Sequence, residues 1–178
     1  MKRWHILNKL IERNKFTSIA ELGVWRGVTM EHILRENPDM YYVGVDLFEE
    51  QPDGLCETYS PGENGHDWDH ESNYNTCREI SEQYPNARIY KSRTDDEVLL
   101  SGYPNGWFDI VFIDADHSYE GVKSDIHLWL PKVKSGGILA GHDFNVEMFP
   151  GTVQAVCEAF PSSMVQLYDD TVWAVKVI

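Results

Sequence analysis

Ala20-Glu21-Leu22-Gly23-Val24-Trp25-Arg26-Gly27-Val28-Thr29 decides the reading of this chain. An apolar run at 16–22 enters it as a buried strand, and helical spacing over 29–35 leaves it, so the glycines fall in the turn between the two. Open α/β sheets hold nucleotide-like ligands at such turns. The loop has no third glycine of a G-x-G-x-x-G fingerprint and no Gly-Lys-Ser/Thr ending. Val24, Trp25 and Arg26 fill the space a pyrophosphate would need. Glu21 would repel a phosphate and suits a ligand carrying an amine or sulfonium cation. The competing reading is a tight strand-to-helix turn with no ligand.

Working outward, Tyr42-Val43-Gly44-Val45-Asp46 is the next apolar run, and it ends in a carboxylate nineteen residues after Gly27. At the end of a second strand, such a carboxylate accepts hydrogen bonds from ribose hydroxyls; aspartate there also serves as a helix N-cap. Helical spacing covers 4–14, 74–84, 95–100, 119–130 and 153–160. Strand-like runs cover 87–90, 108–114, 138–141, 164–168 and 172–177, with Ser135-Gly136-Gly137 as the turn into the third of these. Strands alternate with helices until the last two, which Asp169-Asp170 joins as a hairpin. The expected fold is α/β: a Rossmann-like, doubly wound, three-layer αβα sheet, mostly parallel, with an antiparallel C-terminal edge hairpin. Glu21, Asp46, Asp114 and His142-Asp143 all end strands, the edge of such a sheet where ligands bind.

Composition narrows the function class. The 178 residues are 42% hydrophobic and 25% charged, which is globular, and the length suits a single domain over 1–178. A formal net charge of −14 disfavours nucleic acid as a partner. No apolar run reaches the length of a membrane span and no signal peptide is evident, so a cytoplasmic protein with no membrane partner is expected. Cys56, Cys77 and Cys157 are too scattered for a disulfide framework or zinc site. Residues 47–72 are too long for an ordinary connection and read as a lid-like insertion. Within it, His66-Asp67-Trp68-Asp69-His70 lacks the spacing of known metal-ligand motifs, while Trp68 and Tyr74 offer stacking surfaces.

Together, Glu21-to-Gly27, Val45-Asp46, Phe108-to-Gly121 and Lys134-to-Phe144 resemble the class I S-adenosylmethionine-dependent methyltransferases. The last two segments are similar to the small-molecule and sugar O-methyltransferase branch, with its macrolide-sugar and catechol enzymes. That resemblance implies S-adenosylmethionine as cofactor. Glu21, Gly23, Trp25, Gly27 and Thr29 would lie at its methionine end, Asp46 at the ribose, Thr94 and Asp95 at the adenine edge, and Asp114 beside the sulfonium. It also implies a divalent cation such as Mg²⁺ on Asp114 and Asp143, where Phe144 departs from the family's Asp-Asn pair and leaves Asn145 or His142 to supply a third ligand. His117 stands where metal-dependent relatives have a lysine base. It reads as the catalytic base, or else as a cap for the helix starting near Ser118. His142 reads as ligand, second base or partner of Asp143. The acceptor would be a small molecule or sugar, in a pocket left open or completed by a second copy in a homo-oligomer. The alternatives are a non-catalytic nucleoside-binding protein of this fold and a nucleic-acid methyltransferase; no Asn/Asp-Pro-Pro-Tyr segment follows the Phe108 strand to support the latter.

Overall fold

A computed structural model describes residues 1–49 and 69–178. The strands are β1 (Ser18–Leu22), β2 (Tyr41–Asp46), β3 (Ala87–Lys91), β4 (Phe108–Ile113), β5 (Val133–Gly141), β6 (Val165–Leu167) and β7 (Trp173–Lys176). The helices are α1 (Arg3–Asn14), α2 (Val28–Glu36), α3 (His70–Glu82), α4 (Glu97–Ser101), α5 (Tyr119–Trp129) and α6 (Pro150–Ala159), with a 3₁₀ turn at Leu130–Lys132. They form one sheet in the order β3-β2-β1-β4-β5-β7-β6. The first five strands pair in parallel, whereas β7 runs antiparallel to both β5 and β6. The expected mostly parallel sheet with an antiparallel edge is therefore present. Strand order reverses between β1 and β4, which opens the crevice in which such sheets bind ligands.

Alternation along each strand assigns the two faces. Ile19, Tyr42, Ile110 and Phe112 face one core together with Ile6, Leu7, Leu10 and Ile11 of α1, Met30 and Ile33 of α2, and Cys77 of α3. Their neighbours Ala20, Val43, Val111 and Ile113 face the other, with Leu99 of α4, Val122, Ile126 and Trp129 of α5, and Val156 of α6. A strand buried on both faces must be apolar at successive positions, which is why β1 and β4 lack polar alternation. Within β1 the exceptions are Ser18 at its start and the carboxylic Glu21, 1% exposed.

The lower edge of the sheet is locked by Asp109. Its Oδ2 accepts from the backbone N–H groups of Thr17 at 2.8 Å and Ser18 at 3.0 Å, and Oδ1 lies 2.8 Å from Lys134 Nζ. Burial works to raise this carboxyl's pKa, but the Lys134 contact and the donors from Thr17 and Ser18 prevail and hold it below the usual value. Two local readings change. Residues 135–137 are part of β5: a register shift between Phe108 and Ile110 absorbs the irregularity, and Gly136, at φ +83°, still donates to Val177 O. The helix expected from residue 74 starts at His70, because Asp69 accepts from Ser72 N–H as its N-cap.

Apart from 47–49 and 69–72, the segment expected to be a lid lies outside the described residues, as do Cys56 and Trp68. Tyr74 packs against Phe48, ring centroids 5.2 Å apart. Cys77 and Cys157 are free thiols. Among the described residues no helix is long and apolar enough to cross a membrane.

The strand register explains one glycine. Leu22 pairs with Val45 and with Ile113, so Gly23 lies level with Asp46 and Asp114. A Cβ at Gly23 would stand 2.1 Å from the Asp114 carbonyl oxygen, at a backbone φ of +86°. Gly23→Ala is therefore expected to destabilise the fold by about 2 kcal/mol or more, because both the contact and the dihedral oppose it. Thermal unfolding of the purified variant checks this, and an unchanged midpoint would contradict it.

Candidate active site

The β1–α2 turn is organised by Asp46. Its Oδ2 accepts from the N–H groups of Val24 and Trp25, each at 2.8 Å, and its Oδ1 from Phe48 N–H at 2.7 Å. An ionised carboxylate offers about four acceptor positions. Two are taken by the loop and a third by Phe48 just after β2, so in this conformation Asp46 keeps one for a hydroxyl rather than the pair expected for a ribose diol. Trp25, at φ +50°, and Gly27, at φ +74°, complete the turn, and Gly27 is the N-cap of α2.

Glu21 is the most unusual group in the crevice. The Tyr42 hydroxyl donates to its Oε2. Burial is the main cause that pushes its pKa up to about 8; Tyr42 and Arg3 work to lower it, while Asp114 and Asp46 add to the rise. Glu21 therefore holds its proton at neutral pH.

Asp114, the residue after β4, and Asp143, two after β5, bring the imidazoles into the site. His117 Nε2 lies 2.6 Å from Asp143 Oδ2 and 3.8 Å from Asp114 Oδ1. His142 Nδ1 lies 3.0 Å from Asp143 Oδ1 and 3.5 Å from Asp114 Oδ1. Burial works to lower the His117 pKa, but Asp114 and Asp143 overcome it and raise it to about 10. Burial likewise works to raise Asp143, yet its contacts with His117 and His142 hold it well below the carboxylate range. Asp143 itself takes φ +58°, a conformation few non-glycine residues adopt.

These positions revise two readings of the sequence. Ser118, not His117, caps α5, its side chain accepting from Gly121 N–H. Beside Asp114 and Asp143 the structure also offers His117: one potential ligand atom from each of the three lies within 4.8 Å of the others. His142, expected as a third ligand, borders the same carboxylates. Asn145 is committed elsewhere, accepting from the N–H groups of Glu147 and Met148. His117 Nε2 is buried, and its partners are carboxylate oxygens of Asp143 and Asp114. Two carboxylates and a buried imidazole nitrogen, once deprotonated, are a donor set that fits a divalent cation.

The residues expected at the adenine edge sit in the β3–α4 loop. Thr94 O accepts from Trp129 Nε1 at 2.9 Å, and Asp95 is paired with Arg93 at 2.8 Å. Sequence reading passed over two groups here and at the site. Arg3 Nε–H donates to Thr29 Oγ1 at 3.1 Å and lies 3.4 Å from Asp114 Oδ2. Buried Asp125, next to Thr94, has its pKa pushed up to about 7, chiefly by burial.

Comparisons with known proteins bear on the family and the fold. A family profile described as "Methyltransferase domain" matches residues 20–144. Among solved structures, the chain is similar to the calicheamicin methyltransferase CalS11, at 15% identity and a TM-score of 0.70, covering 97% of this chain and 76% of that one. It is similar to the O-methyltransferase NovP at 20% identity and a TM-score of 0.65, covering 98% and 79%. An O-methyltransferase family protein from Burkholderia thailandensis aligns at 14% identity and a TM-score of 0.61, covering 98% of this chain and 55% of that one. At these identities the likeness is one of fold. No curated protein matches the chain.

The Glu21 environment sets a sign for pH. Its folded pKa lies above the ordinary 4.5, so the stability it contributes is complete below about pH 4.5 and is lost as pH rises toward 8. Glu21→Gln removes that loss. The variant's unfolding midpoint is expected to gain on the parent's by several degrees between pH 5 and pH 8, then run parallel above it. Midpoints that stay parallel throughout would contradict the assignment.

Proposed function

Because the chain belongs to the methyltransferase-domain family, we propose that it transfers a methyl group from S-adenosylmethionine to a hydroxyl of a small molecule or sugar. The observation that carries this reading is the adjacency of two charge clusters on one sheet edge. Glu21 and Asp114 stand ready for a cation, and Asp114 is shared with the His117–Asp143 cluster. NovP is an O-methyltransferase, and CalS11 is a TDP-rhamnose 3′-O-methyltransferase of calicheamicin biosynthesis, which supports a small hydroxylated acceptor.

S-adenosylmethionine supplies an electrophilic methyl on a positively charged sulfur. Asp114 offsets that charge on binding, Glu21 serves the cationic methionine end, and Asp46 accepts from one ribose hydroxyl while holding the loop that carries Gly23 to Gly27. Thr94 and Asp95 border the adenine. The acceptor oxygen must lose its proton as it attacks in line with the methyl group. Asp114, His117 and Asp143 would hold a divalent cation, whose chemistry here is to lower the pKa of the acceptor hydroxyl. Between its carboxylates His117 is an imidazolium, so it serves as ligand or base only once that proton has left. His142, against the same carboxylates, then stands as the other base. The homo-oligomer and the lid expected over 47–72 belong to the acceptor side of this proposal.

Methyl transfer is tested with radiolabelled S-adenosylmethionine against catechols and sugar nucleotides, with Mg²⁺ or Mn²⁺ and with chelator. Asp143→Asn is expected to cut turnover at least roughly hundredfold. It should leave S-adenosylhomocysteine affinity within about threefold, since Asp143 lies outside the cofactor contacts. Asp46→Asn is expected to weaken that affinity roughly tenfold or more. A chain that binds neither form of the cofactor would overturn the proposal.

A further inference from the structure

Arg3 is the first residue of α1, and its side chain reaches into the crevice from the helix end. Its Nε serves Thr29 and Asp114, and Nη1 lies 3.5 Å from His142 Nε2. These partners belong to α2, to the residue after β4 and to the residue after β5, so one guanidinium spans the switch point. Among the described residues no acceptor is placed on Nη2. The side chain keeps 24% of its exposure, so it is held in the site and still open to a ligand.

Its position is enforced by the far end of the chain. Arg3 N–H donates to Asp170 Oδ2 at 2.8 Å, and Lys2 Nζ lies 3.5 Å from Asp170 Oδ1. Asp170 and Thr171 both take positive φ, 56° and 55°, in the turn between β6 and β7. Two non-glycine residues in that region carry a conformational cost, which the fold sustains while presenting Asp170 to the start of α1. Thr171 Oγ1 also lies 3.5 Å from His142 Nε2, so the edge hairpin and the start of α1 meet at the same histidine.

The charges at this point are complementary to a zwitterion. α2 starts at Gly27 with no side-chain cap, which leaves the positive end of the helix beside Thr29 and Arg3. That side favours an anion. Glu21 and Asp114, on neighbouring strands, favour a cation. An amino-acid group carries both charges on one carbon and fits both demands together. We propose that Arg3 is a cofactor-binding residue that pairs with the α-carboxylate of the methionine tail, and that Asp170 positions it. This assignment rests on the cofactor reading above.

The test compares two probes by titration calorimetry: S-adenosylhomocysteine, which carries the amino-acid tail, and 5′-methylthioadenosine, which lacks it. Arg3→Ala is expected to weaken S-adenosylhomocysteine roughly ten- to hundredfold, the range of a charge-assisted hydrogen bond, and to leave 5′-methylthioadenosine within about twofold. Arg3→Lys should restore part of the loss and Asp170→Asn should reproduce part of it. Retained 5′-methylthioadenosine binding reports that each variant is folded. Unchanged or tighter binding of S-adenosylhomocysteine by Arg3→Ala would overturn the assignment, the tighter result showing that Arg3 competes for the cation's place. Equal loss for both probes would overturn it as well. A parent protein that binds neither probe overturns the cofactor reading itself, and the assignment with it.

Discussion

Acidic side chains crowd the upper edge of this sheet, and the arrangement of everything near them follows from keeping them there. Glu21, Asp46, Asp114 and Asp143 come from four adjacent strands or the residues just after them, in a parallel register that leaves them little room to separate. Like charges so close cannot all stay ionised and unpaired. The protein answers differently at each. Glu21 keeps its proton against Tyr42, Asp46 is absorbed by backbone N–H groups, and Asp114 and Asp143 share Arg3, His117 and His142. A cationic ligand or a metal ion is a better partner for these groups than the stand-ins that hold them now.

The two edges of the sheet make a useful contrast. Asp109 below is also a partly buried carboxylate, but it is fully engaged by Thr17, Ser18 and Lys134 and held ionised. That is a structural lock. Glu21 above has one hydroxyl donor, is buried, and is left with a raised pKa. The contrast between a carboxylate satisfied so completely at one edge and one so poorly matched at the opposite edge makes the second edge the candidate site.

Much of this was legible in the chain. Apolar runs ending in acids locate β1, β2 and β4, and their alternation with helical spacing implies the sheet, because a strand covered on both faces must be apolar throughout. The loop at Glu21 to Gly27 is legible from its glycines and its position between strand and helix, and the structure supplies the reason for Gly23, where a Cβ would meet the Asp114 backbone. What stayed hidden depends on pairs far apart in sequence. Arg3 meets Asp114 and Asp170 across most of the chain, and nothing local to residues 1–5 marks it. Tyr42 reads as one more core aromatic until its hydroxyl is seen against Glu21. His117 reads as a base because its isolated pKa is near neutral, whereas two carboxylates brought from the ends of β4 and β5 hold it as a cation. The turn expected at 135–137 failed because cross-strand bonding to Val177 outweighs the local preference of a glycine pair.

The central claim is that Glu21 is a protonated carboxyl waiting for a cationic methyl donor. Counting protons on binding tests it most directly. S-adenosylmethionine is titrated into the protein by calorimetry at pH 7 in two buffers of different ionisation enthalpy, and the buffer dependence of the heat gives the number released. With Glu21 at about 8 in the free protein, binding should release close to one proton, and Glu21→Gln should abolish that release. Tight binding with no proton released by the parent protein would contradict the account.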